Sequence, residues 1–109
     1  MSARMIRYRV HPERADENEQ LVRAVYEQLR RERPAGIRYA TFVAEDGVTF
    51  THLFFSDSEE AAAALPRLQA FRRFQAGVRE RCAKPPVVTP LREVGSFGLH
   101  AADTPEESR

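Results

Sequence analysis

Apolar and polar side chains alternate over the opening segment of the chain, "RMIRYRVH". The apolar side of this segment is formed by Ile6, Tyr8 and Val10. This two-residue period predicts a first strand, which Pro12 ends.

Apolar residues then recur three and four positions apart, which predicts a helix over residues 16–33. The buried stripe of this helix comprises Val22, Val25 and Leu29. We expect Asp16 to be its N-cap, with Glu19 at the matching third position, and residues 34–36 to end it.

Two runs rich in β-branched and aromatic residues flank Asp46-Gly47 and predict strands at residues 37–44 and 48–55. Because aspartate and glycine tolerate the positive φ of a type I′ turn, the two strands are expected to form a hairpin. A loop of two or four residues fixes the register, whereas a three-residue loop would shift it. The expected pairs are Val43 with Phe50, Thr41 with His52, and Tyr39 with Phe54, all on one face of the sheet.

A second helix is predicted after Ser56 or Asp57, either of which is a suitable N-cap. The segment "EEAAAAL" favours helix, and Pro66 predicts a turn or kink within it. The apolar stripe beyond this kink comprises Leu68, Phe71, Val78 and Cys82. Residues 84–86, Lys-Pro-Pro, are expected to end the helix. The following segment, "VVTPLREVGSF", predicts a fourth strand at the edge of the sheet, because Pro90 cannot donate to a neighbour.

The order strand, helix, strand, strand, helix, strand predicts an α+β, ferredoxin-like fold in one domain of residues 1–98. Right-handed crossovers place both helices on one face of a four-stranded antiparallel sheet with the order 4-1-3-2. The polar tail at residues 99–109 is expected to be flexible. Both faces of the sheet are rich in apolar residues, yet two helices cover only one face. We therefore expect a homodimer held through the other face, which makes the fold a dimeric α+β barrel.

The strand patterns also assign side chains to the two faces. On the first strand, the apolar positions are the better set to face the helices. This choice leaves six candidate site residues on the side of the partner, or in a space between the two sheets. They are Arg7, Arg9, Tyr39, Thr41, His52 and Phe54.

Composition limits the classes of partner. The formal net charge is +1, so no field favours nucleic acid or an anionic membrane. No apolar run reaches the roughly 18 residues of a membrane span, and the N-terminus lacks the apolar region of a signal peptide. A single cysteine, Cys82, cannot form an internal disulfide, and a cytoplasmic location is the simplest expectation. The histidines lack metal-ligand spacing, so neither a metal nor another cofactor is expected.

Three segments carry a resemblance to a known family: "RYRVHPERADENEQLVRAVYEQL", "RYATFVAEDGVTFTHLFF" and "LQAFRRFQAGVRERC". With the small size and the strand-helix order, they resemble the antibiotic-biosynthesis-monooxygenase-like domains of the dimeric α+β barrel group, over residues 4–97. The resemblance implies a dimer whose two sheets enclose a lumen, with His52 and Tyr39 at lumen-type positions. It also implies a range of functions, since some members oxidise aromatic polyketides with O₂ and no cofactor, others degrade haem, and many have no known activity.

Two hypotheses of function follow. The first is a cofactor-independent enzyme that binds or oxidises a small hydrophobic or aromatic molecule in the lumen between the sheet and the partner. The second is a non-catalytic ligand-binding or dimerisation module. It is favoured because the chain has no tryptophan and its only asparagine is Asn18, whereas active members of the family often use these residues in the lumen. An RNA-recognition module shares the strand order, but "DGVTFTHLFF" does not fit its basic-glycine-aromatic pattern.

His52 is the candidate catalytic residue, because an unperturbed imidazole exchanges protons near neutral pH. The alternative is a structural histidine bonded to Thr41 or to an acidic residue across the dimer. Tyr39 is a candidate ligand contact or an interface anchor. Arg7 and Arg9 are candidates to bind a carboxylate or to form salt bridges between subunits. The remaining candidate substrate-binding residues are Thr41 and Phe54.

Overall fold

A computed structural model describes residues 2–100 of the 109-residue chain. Its strands are β1 (Ser2–Val10), β2 (Ile37–Val43), β3 (Thr49–Ser56) and β4 (Cys82–Leu91). Its helices are α1 (Ala15–Glu32), α2 (Glu59–Ala62), α3 (Ala64–Arg67), α4 (Gln69–Ala76) and α5 (Val78–Arg81), and a 3₁₀ turn at Pro12–Arg14 precedes α1. The sheet is antiparallel in the order β2-β3-β1-β4, which confirms the predicted ferredoxin-like arrangement.

Helix α1 has the predicted length but a different start. It begins at Ala15 and its N-cap is Arg14, whose side chain makes no capping bond, so the predicted cap at Asp16 is wrong. The preceding 3₁₀ turn already directs the chain into the helix, and Asp16 lies in the first turn, where negative charge is favourable. The helix ends where Arg33 adopts a φ of 50° and donates its N–H to the carbonyl of Leu29.

The β2–β3 hairpin has the predicted register, but its turn is not of type I′. Among these loop residues only Gly47 has a positive φ, of 77°, and its N–H donates to the carbonyl of Ala44. The Asp46 carboxylate accepts hydrogen bonds from the N–H groups of Val48 and Thr49 and from the Thr49 hydroxyl. These hydrogen bonds lower the pKa of Asp46 to about 2, and the bond from the Thr49 hydroxyl has the largest effect. Asp46 therefore stabilises the loop by accepting hydrogen bonds.

The pairing of β1 with β3 corrects the expected assignment of faces. Ile6 pairs with His52, and directly paired residues share a face of a sheet. The candidate residues on the helix-covered face are thus Tyr39, Thr41, His52 and Phe54. Arg7 and Arg9 are on the opposite face. The prediction that all six residues face the partner is therefore wrong for the four residues of the hairpin.

The second helix starts later than expected. Its N-cap is Ser58, whose hydroxyl oxygen accepts a hydrogen bond of 3.0 Å from the N–H of Ala61. The predicted cap at Ser56 or Asp57 is wrong because β3 runs on to Ser56, which is buried. The helical path then breaks into four short pieces, α2 to α5.

Strand β4 follows α5 directly and begins at Cys82. The predicted place of Cys82 on a helical stripe is therefore wrong, and residues 84–86 lie inside the strand rather than at a helix end. The strand ends at Leu91, short of the expected Phe97. Its prolines are tolerated because β4 is an edge strand that pairs with β1 alone, as Pro90 predicted.

The hydrophobic core lies between the helices and the sheet. Its buried members include Tyr8, Val10, Val22, Val25, Phe50, Phe54, Leu65, Leu68 and Phe74. In the described part of the chain, residues 2–100, no helix covers the other face of the sheet, where Phe42 and Val87 are 58% and 62% exposed. A dimer through this face stays a prediction. The predicted tail lies outside the described residues from residue 101 onward.

We expect Gly36→Ala to destabilise the fold more than Gly47→Ala. Both glycines have a positive φ, of 83° and 77°, which costs an alanine about 1 kcal/mol. Only at Gly36 would the added Cβ meet a neighbour, the Ala61 Cβ at 2.8 Å, which adds roughly 1–3 kcal/mol. Urea unfolding of the two variants measures the difference. Equal losses would mean that α2 moves away from residue 36 at little cost.

Candidate functional site

A cavity of about 560 Å³ lies between the sheet and the helices α4 and α5. Its aromatic lining consists of Tyr8, Tyr39, His52, Phe54, Phe71 and Phe74. Tyr8, Tyr39, His52 and Phe54 come from the adjacent strands β1, β2 and β3, and Phe71 and Phe74 come from α4. The strand residues meet in the cavity because residues two apart on a strand share a face. A concave, mostly aromatic site of this size with a few polar groups is typical of small-molecule binding.

His52 lies at the centre of this lining and is 3% exposed. Its Nε2 is 2.8 Å from the hydroxyl of Tyr8. Its Nδ1 is 2.8 Å from the hydroxyl of Tyr39 and 3.0 Å from that of Thr41. Burial lowers the pKa of His52 to about 4, because an apolar environment disfavours the charged imidazolium. His52 is therefore neutral at pH 7, with both ring nitrogens in hydrogen bonds.

A chain of hydrogen bonds links His52 to Arg81. The Arg81 Nε donates to the Asn18 Oδ1 at 2.9 Å, and the Asn18 Nδ2 donates to the Tyr8 hydroxyl at 2.9 Å. Because a guanidinium can only donate, Asn18 must turn its amide oxygen toward Arg81 and its NH₂ toward Tyr8. A Tyr8 hydroxyl that accepts from Asn18 can donate its own proton to the Nε2 of His52, an arrangement that leaves no donor of the chain unused. In this arrangement the ring proton of a neutral His52 is on Nδ1, facing Tyr39 and Thr41.

Arg81 anchors the far end of this chain and is 2% exposed. A second nitrogen of its guanidinium donates to the carbonyl of Phe74 at 2.8 Å, and the guanidinium lies 5.3 Å from the centroid of the Phe74 ring. Within residues 2–100, no carboxylate forms an ion pair with it. The site therefore holds a buried positive charge that hydrogen-bonding dipoles and an aromatic ring stabilise directly, and Glu17 interacts with it without forming an ion pair.

Tyrosine hydroxyls surround the imidazole and remain protonated near neutral pH. Burial raises the pKa of Tyr8 and of Tyr39, since the phenolate is poorly solvated there. Tyr26 on α1 is 2.7 Å from the Thr41 hydroxyl, and burial raises its pKa to about 12. The hydroxyls thus act as neutral hydrogen-bonding groups, and α1 is bonded to the sheet at both ends of the network.

The structure brings together four of the six predicted site residues. Tyr39, His52 and Phe54 line the cavity, and Thr41 contacts His52 just behind it. The predicted location of the site is wrong, because this cavity lies between the sheet and the helices rather than between the sheet and a partner. Arg7 and Arg9 are on the other face and take no part in it.

Four residues of the network are not among the predicted site residues: Tyr8, Asn18, Tyr26 and Arg81. Asn18 could have been found, because it precedes Val22 and Val25 by four and seven residues and so continues the buried stripe of α1 as a polar residue. Arg81 carried no such signal. The break at Gly77 changes the direction of the helical path, and an unbroken helix would have placed the residue elsewhere.

No group of three or more histidine, cysteine, aspartate or glutamate side chains within residues 2–100 could hold a metal ion. None of the helices in that part of the chain is long and apolar enough to span a membrane. The cytoplasmic location stays a prediction.

Comparison with known proteins finds likeness in structure rather than in sequence. No protein-family model matches the chain, and no curated protein does. The crystal structure of an antibiotic biosynthesis monooxygenase matches with a TM-score of 0.73 at 20% identity, covering 87% of this chain and 100% of that chain. Rv0793 from Mycobacterium tuberculosis matches with a TM-score of 0.73 at 21% identity, covering 87% of this chain and 96% of that chain. PA3566 from Pseudomonas aeruginosa matches with a TM-score of 0.71 at 18% identity, covering 86% of this chain and 94% of that chain.

The chain has the fold of antibiotic biosynthesis monooxygenase-like proteins. This finding confirms the resemblance that the three sequence segments carried, at the level of the single subunit. At these identities the likeness concerns the fold.

We expect the stability of the protein to fall between pH 7 and pH 5 because of His52. Its folded pKa of about 4 is below the ordinary value near 6.5, so the unfolded chain binds more protons in this range. The stabilisation is complete above pH 6.5 and is lost as the pH falls toward 4. The difference in unfolding free energy from pH 7 to pH 5 amounts to about 2 kcal/mol.

Urea unfolding at the two pH values tests this expectation, with His52→Gln and His11→Gln as a matched pair. The first substitution should remove most of the pH dependence, whereas the second should leave it in place. If the unfolding free energy of His52→Gln falls as much from pH 7 to pH 5 as that of the wild type, another group causes the fall.

Proposed function

We propose that this protein binds a planar aromatic small molecule in the cavity between its sheet and its helices. The observation that carries the proposal is an aromatic lining around buried, neutral hydroxyl groups. The rings of Phe54, Phe71 and Phe74 offer stacking and edge contacts to an aromatic ligand. The hydroxyls of Tyr8 and Tyr39 offer the few polar contacts that orient a ligand in such a site.

His52 has a positioning role in this proposal. Both of its ring nitrogens are engaged by protein hydroxyls, and a pKa of about 4 makes the imidazole a weak base. When Nδ1 donates its proton to the oxygen of Tyr39, the Tyr39 hydroxyl is free to donate its own proton to a ligand. His52 then fixes the donor that meets the ligand.

A second candidate function is the oxidation of a bound phenol by O₂ without a cofactor, which gives a quinone and water. The fold shared with a protein named an antibiotic biosynthesis monooxygenase supports it. So does the hydrogen-bond chain, because the positive charge of Arg81 polarises it toward His52 and Tyr39 and would favour a phenolate held there. Consumption of O₂ in the presence of 1-naphthol, absent in a variant with a blocked cavity, would support this function.

We expect Ala76→Trp to abolish the binding of 1-naphthol, whereas Ala83→Trp should not. Both alanines are exposed, but only Ala76 lines the cavity, where an indole would occupy the space of the ligand. Binding to the wild type should raise the melting temperature, and isothermal titration should give one saturable site. Equal binding by both variants would contradict the proposed location, and no binding to the wild type would contradict the proposed function.

The proposed assembly is a homodimer through the uncovered face of the sheet. That face has Phe42 and Val87 largely exposed and Leu53 half-buried, and Thr51 and Arg7 lie between Phe42 and Val87 across the strands. Burial of such a patch against an identical sheet would remove apolar area from water. Arg7 and Arg9 lie on this face as well, where the predicted salt bridges between subunits stay a proposal.

We expect light scattering at micromolar concentration to give twice the chain mass of 12.5 kDa. Leu53→Asp should give a monomer, because it places a charge in the proposed interface. Val94→Asp is the matched control, since Val94 is 88% exposed and lies beyond β4, and it should remain dimeric. A monomeric wild type would refute the proposed dimer.

A further inference from the structure

We propose that the ligand of this cavity is an aromatic acid, whose carboxylate Arg4 holds at the mouth of the cavity. This inference rests on the proposed function and adds the chemical class of the ligand. It starts from a cation that the network around His52 does not use.

Arg4 belongs to the cavity by its position on β1. It precedes Ile6 and Tyr8 by two and four residues, so the three side chains are on the same face, and all three line the cavity. Its guanidinium lies 5.4 Å from the centroid of the Phe54 ring. The side chain is thus held over an aromatic wall of the site, although Arg4 itself is exposed.

Arg4 has its hydrogen-bonding capacity free for a ligand. Across residues 2–100, its guanidinium forms no ion pair and no hydrogen bond with another side chain. Its neighbours on the adjacent strands are Phe54 and Pro90, neither of which can accept from it through a side chain. A guanidinium has five donors in a fork that matches a carboxylate, and among the described residues that fork meets no acceptor.

The other charges on the cavity wall do not cancel Arg4. Arg79 and Glu80, adjacent on α5, are both exposed and both line the cavity. Their opposite charges offset each other, and Arg4 remains as the excess positive charge at the opening. His52 is neutral at pH 7 and adds none.

The cavity therefore has a polarity gradient with a fixed direction. Arg4 pairs with Phe54, and Ile6, two residues along β1, pairs with His52. Two residues of a strand span about 7 Å, a distance that an aromatic ring with its substituents can bridge. A carboxylate at Arg4 places the ring against Phe54 and directs its far end to the hydroxyls around His52. A hydroxyl-bearing aromatic acid fits both ends.

The experiment uses the full chain and three probes. The neutral fluorophore N-phenyl-1-naphthylamine reports on the aromatic cavity, and 2-naphthoate and 2-naphthamide compete with it. The competitors have the same ring system and differ in the charge of one group. Arg4→Gln removes the cation, and Arg73→Gln removes an exposed cation of α4 that does not line the cavity. The two variants therefore change the net charge equally.

We expect 2-naphthoate to displace the fluorophore about fivefold more effectively than 2-naphthamide in the wild type, as for a solvent-exposed ion pair. The preference should vanish in Arg4→Gln and persist in Arg73→Gln. Added salt should weaken the binding of 2-naphthoate but not that of 2-naphthamide. Unchanged binding of the fluorophore itself would show that Arg4→Gln is folded.

Two results contradict the inference in different ways. Equal displacement by both competitors in the wild type, or a preference for naphthoate that survives Arg4→Gln, would refute the aromatic acid and leave the aromatic cavity standing. Absence of saturable fluorophore binding, or binding that Ala76→Trp does not reduce, would refute the proposed function itself.

Discussion

Arg81 can only donate hydrogen bonds, and from its buried position this property orients the polar groups of the helix-covered face. Asn18 must accept from it and Tyr8 must accept from Asn18, which leaves the Tyr8 proton to be donated to His52. The chain joins the end of α5 to α1, β1 and β3, which are distant in sequence. Removing one member would leave its neighbours buried without partners, at roughly 1–3 kcal/mol for each group. The network thus constrains how the helices sit on the sheet.

The same constraint determines the chemistry that the cavity supports. A histidine between two tyrosine hydroxyls in an apolar environment stays neutral, and both of its nitrogens are occupied. It is therefore better suited to hold a neighbouring hydroxyl than to remove a proton. Arg81 keeps its charge one side chain away from the cavity, behind Asn18. Arg4 lines the cavity and meets solvent, so it can pair directly with an anion that enters.

The sequence predicts the element order, the strand order and the hairpin register, because each depends on local signals: a two-residue period, a helical period and Asp46-Gly47. It does not predict which face of the hairpin meets the helices. Phe42 and Phe55 are on one face and Phe50 and Phe54 are on the other, so hydrophobicity does not distinguish them. The β1–β3 register decides the question through Ile6 and His52. That contact joins two residues that are far apart in the sequence and has no local signal.

The two faces of the sheet nevertheless differ in one physical respect, and it explains the orientation. The face with Tyr8, Tyr39 and His52 carries hydroxyl and imidazole groups that need partners in every direction once buried. The helices supply them, through Asn18 and Tyr26 of α1. The other face combines Phe42, Leu53 and Val87 with Thr51 and Arg7, and none of these side chains is fully buried. The helices therefore cover the face whose buried polar groups need hydrogen-bond partners.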